Sequence, residues 1–189
     1  LAVEKYRLDM DTRHMDKTAL IDAMDNARLA QDSLAVTGIN WHEAKAYCHW
    51  RDKRLPTEME WEKAARGTKG NEFPWGADWD KMRANTGDGL DWEYGVAPVG
   101  SYPQGRSPYG VSDMAGNVME WVSDWYQSYP GNQYLTDEFG EQYKVVRGGG
   151  WGGVGHYAVS QFYRGAYRFY LTPDARYSDL GFRCARSVP

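Results

Sequence analysis

Cysteine and histidine are both scarce here: two cysteines and four histidines in 189 residues. His14, His42, His49 and His156 are scattered, and His42 and His49 stand two turns apart on one predicted helix, too far to share a metal. A zinc or iron centre is therefore not expected. No apolar run approaches the ~20 residues of a membrane-spanning helix. No Walker-type phosphate loop is present, and "GGGWGGVG" lacks the strand and helix that would make it a dinucleotide motif. Its glycines suit tight turns and close packing beside Trp151. Net charge is −4 with both signs spread along the chain, which argues against nucleic acid or an anionic membrane as partner. The opening "LAVEKYRLDMD" is not a charged-then-apolar signal segment, and a chain starting at Leu is compatible with one already removed.

What is plentiful is ring and glycine: 9 Trp, 14 Tyr and 21 Gly. That mixture predicts loop-rich packing around aromatic anchors, in one domain by length. Leu20, Ile21, Met24 and Ala27 predict an amphipathic helix in the N-terminal segment. "AVTGIN" reads as a short strand leading into a helix near Asn40, with Trp41, Ala44, Tyr47 and Cys48 on its buried face. Thr57 and Glu60 form a capping box for a second helix that ends at Arg66 and Gly67. Residues 67–110 are turn after turn. Short strands follow in "NVMEWVSDWY", "YKVVRGGGWG", "SQFYRGAYRFY" and "GFRCARS". The fold class is α+β, with early helices, late antiparallel strands and long ordered loops.

Such loops need something to hold them, and calcium, bound by carboxylates, amide oxygens and carbonyls, is one answer. "NTGDGLDWE" offers Asn85, Asp88, Asp91 and Glu93; "SDMAGNVME" offers Asp113, Asn117 and Glu120 around Gly116. Neither is an EF-hand. Cys48 and Cys184 read equally as two buried thiols or as one long-range disulfide in an oxidising compartment.

Five stretches then occur in a telling order: "AVTGINWHEAKAYCHWRDKRLPTEMEWEKAARG", "FPWG", "APVGSYPQGRSPYGVSDMAGNVMEWVSDWY", "VVRGGGW" and "LGFRCARS". Over residues 35–188 the chain resembles the formylglycine-generating enzyme (sulfatase-modifying factor) family. The resemblance implies a variant of the C-type lectin fold over residues 36–189, with 1–35 a truncated or divergent segment. It implies one structural calcium held by Asp113 and Glu120 side chains with Gly116 and Val118 carbonyls. A second calcium maps to Asn85, Thr86, Asp91 and Glu93, in a loop that differs from the family's. It also implies a Cys48–Cys184 disulfide, hence a periplasmic or extracellular site.

The family's oxidases use two cysteines and copper, and those positions fall on Ser160 and Gly165. Copper(I) needs soft thiolate ligands, so neither copper nor the oxidase reaction is expected. The preferred expectation is a non-catalytic binding or structural module with a protein partner in a larger assembly. Its binding surface is expected at His156, Tyr157, Gln161, Phe162, Tyr163, Tyr167, Phe169, Tyr170 and Tyr177. The alternatives are an enzyme of different, non-copper chemistry, a retroelement-diversified variable protein and a sugar-binding lectin. For the enzyme, Arg147, Arg164, Arg168, Arg176 and Arg183 could hold an anionic substrate, although bracing of loops explains them more simply.

Overall fold

In a computed structural model, residues 33–86, 95–151 and 160–187 are described. Asn40 opens helix α1 (Trp41–Trp50): its side chain accepts from Glu43 N–H (2.9 Å), and Glu43 accepts from Asn40 N–H (3.0 Å). Thr57 and Glu60 do the same for α2 (Glu58–Arg66), and Gly67 ends it. The Arg54 guanidinium, helped by the Thr57 N–H, holds the Glu60 carboxyl down to about 2.

Four short strands follow: β1 (Met119–Trp125), β2 (Lys144–Arg147), β3 (Phe169–Leu171) and β4 (Leu180–Phe182). They form one sheet in the order β3-β2-β1-β4. β1–β2 and β2–β3 are antiparallel, but β4 lies parallel to β1, with Glu120 opposite Gly181. The expected all-antiparallel set is thus corrected: β4 arrives from a loop and not from a hairpin, so nothing forces it to run back along its neighbour.

Alternation along the strands sorts the core onto two faces. α1 packs Trp41, Ala44 and Cys48 against Met119, Trp121, Val146 and Leu180. α2 packs Trp61 and Ala65 against Val122, Val145 and Met114. Each large side chain buried this way contributes about 1.5–3 kcal/mol. The loops have a small core of their own, Phe73, Ala115 and Tyr163, flanked by Trp75 and Trp79.

Two local expectations are corrected. Residues 35–39 join no multi-residue strand; instead the Gly38 N–H donates to the carbonyls of Tyr177 and Leu180. Tyr47 is half exposed and edges onto Phe182, because the helix turns it past the sheet rather than into it. The helix expected around Leu20, Ile21, Met24 and Ala27 lies outside the described residues. Residues Ala35–Pro189 form one compact unit. Among the described residues, no helix is long and apolar enough to cross a membrane.

Cys48 in α1 is bonded to Cys184 just after β4, with Cα atoms 5.5 Å apart. Beside it, Arg54 and Ala185 exchange two main-chain hydrogen bonds (2.9 and 2.7 Å). The link closes a loop with a sequence separation of 136. In the chain-entropy model, breaking a link of that span costs about 5 kcal/mol. Alkylation of the denatured, unreduced protein is expected to label neither cysteine. Reduction should lower the urea midpoint correspondingly; a labelled thiol would refute the bond.

Candidate functional site

The loop 112–120 wraps through three left-handed residues, Asp113 (φ 57°), Gly116 (φ 74°) and Asn117 (φ 66°). Asp and Asn tolerate that conformation best among residues with a Cβ. Gly116 is obligatory for a second reason: a Cβ there would stand 2.4 Å from the Asn85 carbonyl oxygen. The two segments expected to bind calcium are in fact adjacent. Asn117 N–H donates to the Asn85 carbonyl (2.7 Å), and Asn85 Nδ2 donates to Asn117 Oδ1 (3.2 Å). Asn117 also exchanges hydrogen bonds with the main chain of Ala97.

Glu120, on β1, is 3% exposed. Its carboxylate accepts from Trp61 Nε1 (2.7 Å) and from Arg183 Nε and Nη2 (2.5 and 2.6 Å). Arg183 Nη2 also donates to the carbonyls of Ser112 and Asp113 (both 3.2 Å). Asp113 accepts the Gly100 N–H (2.8 Å). Burial pushes its carboxyl up, and nearby Glu120 adds to this, while the Gly100 N–H and Arg183 pull it down.

The donor set suits a hard cation. Arg183 bonds the Glu120 carboxylate and acts on Asp113 through space, as Arg106 does, in a loop largely shielded from water. Three of the roughly four lone-pair sites of Glu120 are spent on Trp61 and Arg183, so a cation here would rely on Asp113 and main-chain carbonyls such as those of Gly116 and Val118. Val118 is buried. In the second segment, Thr86 Oγ1 is a buried oxygen with no hydrogen-bond partner among the described residues. Asp88, Asp91 and Glu93 lie outside the described residues. Among the described residues, no three His, Cys, Asp or Glu side chains converge.

Each of the five arginines is paired with a carboxylate. Arg147, 1% exposed, bonds Glu58 (3.2 Å) and Glu62 (2.6 Å) and also the carbonyls of Gly165 (2.8 Å) and Ala166 (3.2 Å). Arg168 grips the same Glu58 (2.6 and 2.9 Å). Arg164 pairs with Glu72, Arg176 with Glu43 and Arg183 with Glu120. The sequence could not name these partners, which lie up to 133 residues away.

Both cysteines are in the disulfide, so no thiol remains. At Gly165 a Cβ would stand 2.5 Å from Arg66 Cγ, and Arg66 is itself fixed by Glu62, Gly70 and Asn71. A cysteine at 165 would have to displace it. Ser160 begins a single 3-10 turn, Ser160–Tyr163. The nearby recess, about 40 Å³, is lined by Met119, Val146, Arg147, Phe162, Tyr167 and Phe169, among others, with no carboxylate, imidazole or thiol among the described residues.

The expected aromatic surface is corrected in part. Tyr163 is buried, stacked on Trp79 with ring centroids 5.2 Å apart. Phe169 packs against the main core. Tyr170 stacks on Tyr126 (4.4 Å), and Phe162 meets Tyr167 edge to face (5.1 Å). Only Gln161 and Tyr177 of the described members are exposed. In a fold short of aliphatic side chains, rings must fill the interior. His156 and Tyr157 lie outside the described residues.

A family model described as the sulfatase-modifying factor enzyme 1-like domain matches residues 5–188. The chain is 38% identical over 159 residues to the inactive C-alpha-formylglycine-generating enzyme 2 of Bos taurus, covering 79% of this chain and 49% of that protein. It is 35% identical over 176 residues to the formylglycine-generating enzyme of Mus musculus, covering 85% and 46%. PvdO from Pseudomonas aeruginosa shares the fold with a TM-score of 0.65 at 28% identity, over 82% of this chain and 63% of that one. The architecture is thus α+β and C-type lectin-like, as the resemblance implies. The chain spans about half the length of the curated relatives it matches.

Removing Arg183 leaves the buried Glu120 charge with only an indole N–H. Arg183→Met is expected to cost about 3–5 kcal/mol in urea denaturation, and the double variant with Glu120→Gln to regain a large part of it. A loss below about 1 kcal/mol, the value of a surface pair, would show that the pair is not a brace.

Proposed function

The chain belongs to the sulfatase-modifying factor enzyme 1-like family, and from that premise we propose that it is a non-catalytic binding or structural module. In this reading it serves an extracytoplasmic protein assembly on a calcium-stabilised scaffold. One observation carries the first part: the only two sulfurs of cysteine are consumed in the Cys48–Cys184 bond. The family's oxidation of a substrate cysteine requires thiolates for copper(I), and this chain has none to offer. The disulfide also supports the oxidising, periplasmic or extracellular setting.

What the fold supplies instead is rigidity. The loops are fixed by buried charge and by main-chain carbonyls, so a partner meets a surface already ordered and the entropic cost of docking falls. Calcium, when bound, would supply positive charge that offsets Asp113. Asp113 and the carbonyls of Gly116 and Val118 would hold it, with Asn85 and Thr86 holding a second ion.

Three outcomes are expected. Offered copper(I), oxygen and a cysteine-containing sulfatase-type peptide, the protein leaves the peptide mass unchanged; conversion of the cysteine to an aldehyde would refute the non-catalytic role. Adding calcium to chelator-treated protein raises the melting temperature of the wild type. In Asp113→Asn the rise is smaller, because only the ion at Asn85 and Thr86 remains, and in chelator that variant is at least as stable as the wild type. The sign follows from burial: a carboxyl whose folded pKa is raised costs stability when ionised, above its unfolded pKa, unless a cation compensates it. An identical calcium response in both proteins would refute the site. Native isolation from the source should recover the chain at fixed stoichiometry with a protein partner; migration alone would refute the assembly.

A further inference from the structure

A larger opening, about 950 Å³, lies between α1, the start of α2 and the end of β1. Trp41, Leu55, Met59, Trp125 and Tyr129 give it apolar walls. Its charges come from every element around it: His42 and Lys45 from α1, Arg54 and Glu58 near α2, Asp124 from β1, Lys144 from β2, and Arg168 from the loop before β3.

Of the carboxylates there, Glu58 is neutralised by arginine, while Asp124 is hydrogen-bonded and keeps its charge. Glu58 is held by Arg147, Arg168 and the Tyr129 hydroxyl. Asp124 accepts from the Glu58 N–H and the Ser123 hydroxyl (both 2.8 Å). Arg54 is matched by Glu60 and Arg168 by Glu58. Neither lysine is in a contact ion pair among the described residues, although Asp124 and Glu141 act on Lys144 through space. Lys144, 3% exposed, places its ammonium 3.6 Å from the Trp125 ring and 4.0 Å from the Trp41 ring, donating to the Ser123 carbonyl (2.9 Å). Lys45 lies 5.0 Å over the same Trp41. Indole faces hold a cation in place without neutralising it, and one hydrogen bond leaves an ammonium two donors.

We propose that this cleft binds a small organic carboxylate. The carboxylate meets Lys45 and Lys144, and its apolar body lies against Trp125, Leu55, Met59 and Tyr129. This goes beyond the reading above, because the cleft contains none of the residues assigned to calcium, and ligand binding there is independent of the ion. Burial, with Lys45 adding repulsion and Asp124 and Glu141 opposing it, holds the Lys144 amine down to about 8. A bound carboxylate favours the ammonium form, so binding takes up a proton near that pH and weakens as pH rises past it.

The test is equilibrium dialysis with 2-naphthoate and its neutral isostere 2-naphthamide, at pH 7 and with a chelator present. Naphthoate is expected to bind one per chain, at least about tenfold tighter than the amide, because a charge-assisted hydrogen bond separates the two. Lys45→Met and Lys144→Met should each lose about tenfold for naphthoate and nothing for the amide. Raising the pH to 9.5 should weaken naphthoate alone. Equal binding of the two probes, no saturation, or unchanged affinity in Lys45→Met would overturn the proposal. Lys45 is an exposed helical residue, so its variant reads out even where Lys144→Met fails to fold. The chelator separates this result from failure of the calcium reading.

Discussion

A single buried carboxylate, Glu120, joins more of this structure than any hydrophobic contact does. It stands on β1, receives the indole N–H of α2 through Trp61, and receives the guanidinium of Arg183 from just beyond β4. The same guanidinium reaches back to the carbonyls of Ser112 and Asp113, where the loop enters its left-handed wrap. A buried charge is tolerable only when its lone pairs are met with good geometry, and each of these partners meets one. Helix, central strand, edge strand and loop therefore have to be in place together.

Arg147 repeats the device on the neighbouring strand. It anchors α2 through Glu58 and Glu62 and pins the carbonyls of 165 and 166, which fixes the loop ahead of β3. Such bonds are directional where aliphatic packing is not, so long irregular segments can hold one geometry with little regular structure beneath them. This links the buried charges to the proposed role, since a recognition surface is useful when it is ordered before its partner arrives.

Local chemistry was readable in the sequence, and partnership was not. Thr57 and Glu60 declare their capping box three residues apart; Asn40 and Glu43 form another with the same spacing. "DMAGNVMEW" announced a tight loop through its Gly and flanking carboxylates, but nothing local showed that Arg183 and Trp61 would meet Glu120. The spacing of the cysteines leaves their pairing open, and only the family resemblance implies it. Aromatic residues are the least legible. A Tyr has the same letter whether it stacks inside, as Tyr163 does on Trp79, or stands outside, as Tyr177 does, and only the fold decides between them. The parallel placement of β4 is likewise a property of how distant segments meet.

That placement has a consequence during synthesis. The central strand β1 needs β4 for one of its two neighbours, and β4 brings both Arg183 and Cys184. While the chain is still emerging from a ribosome, α1, α2, β1 and β2 are present, yet Glu120 lacks its countercharge and Cys48 has no thiol to join. The domain therefore has no vectorial, N-to-C route to its native core. Between the emergence of β1 and that of β4 it exposes an unpaired strand edge, and Cys48 waits for a partner 136 positions further along the chain, so the open sheet needs shielding until β4 arrives.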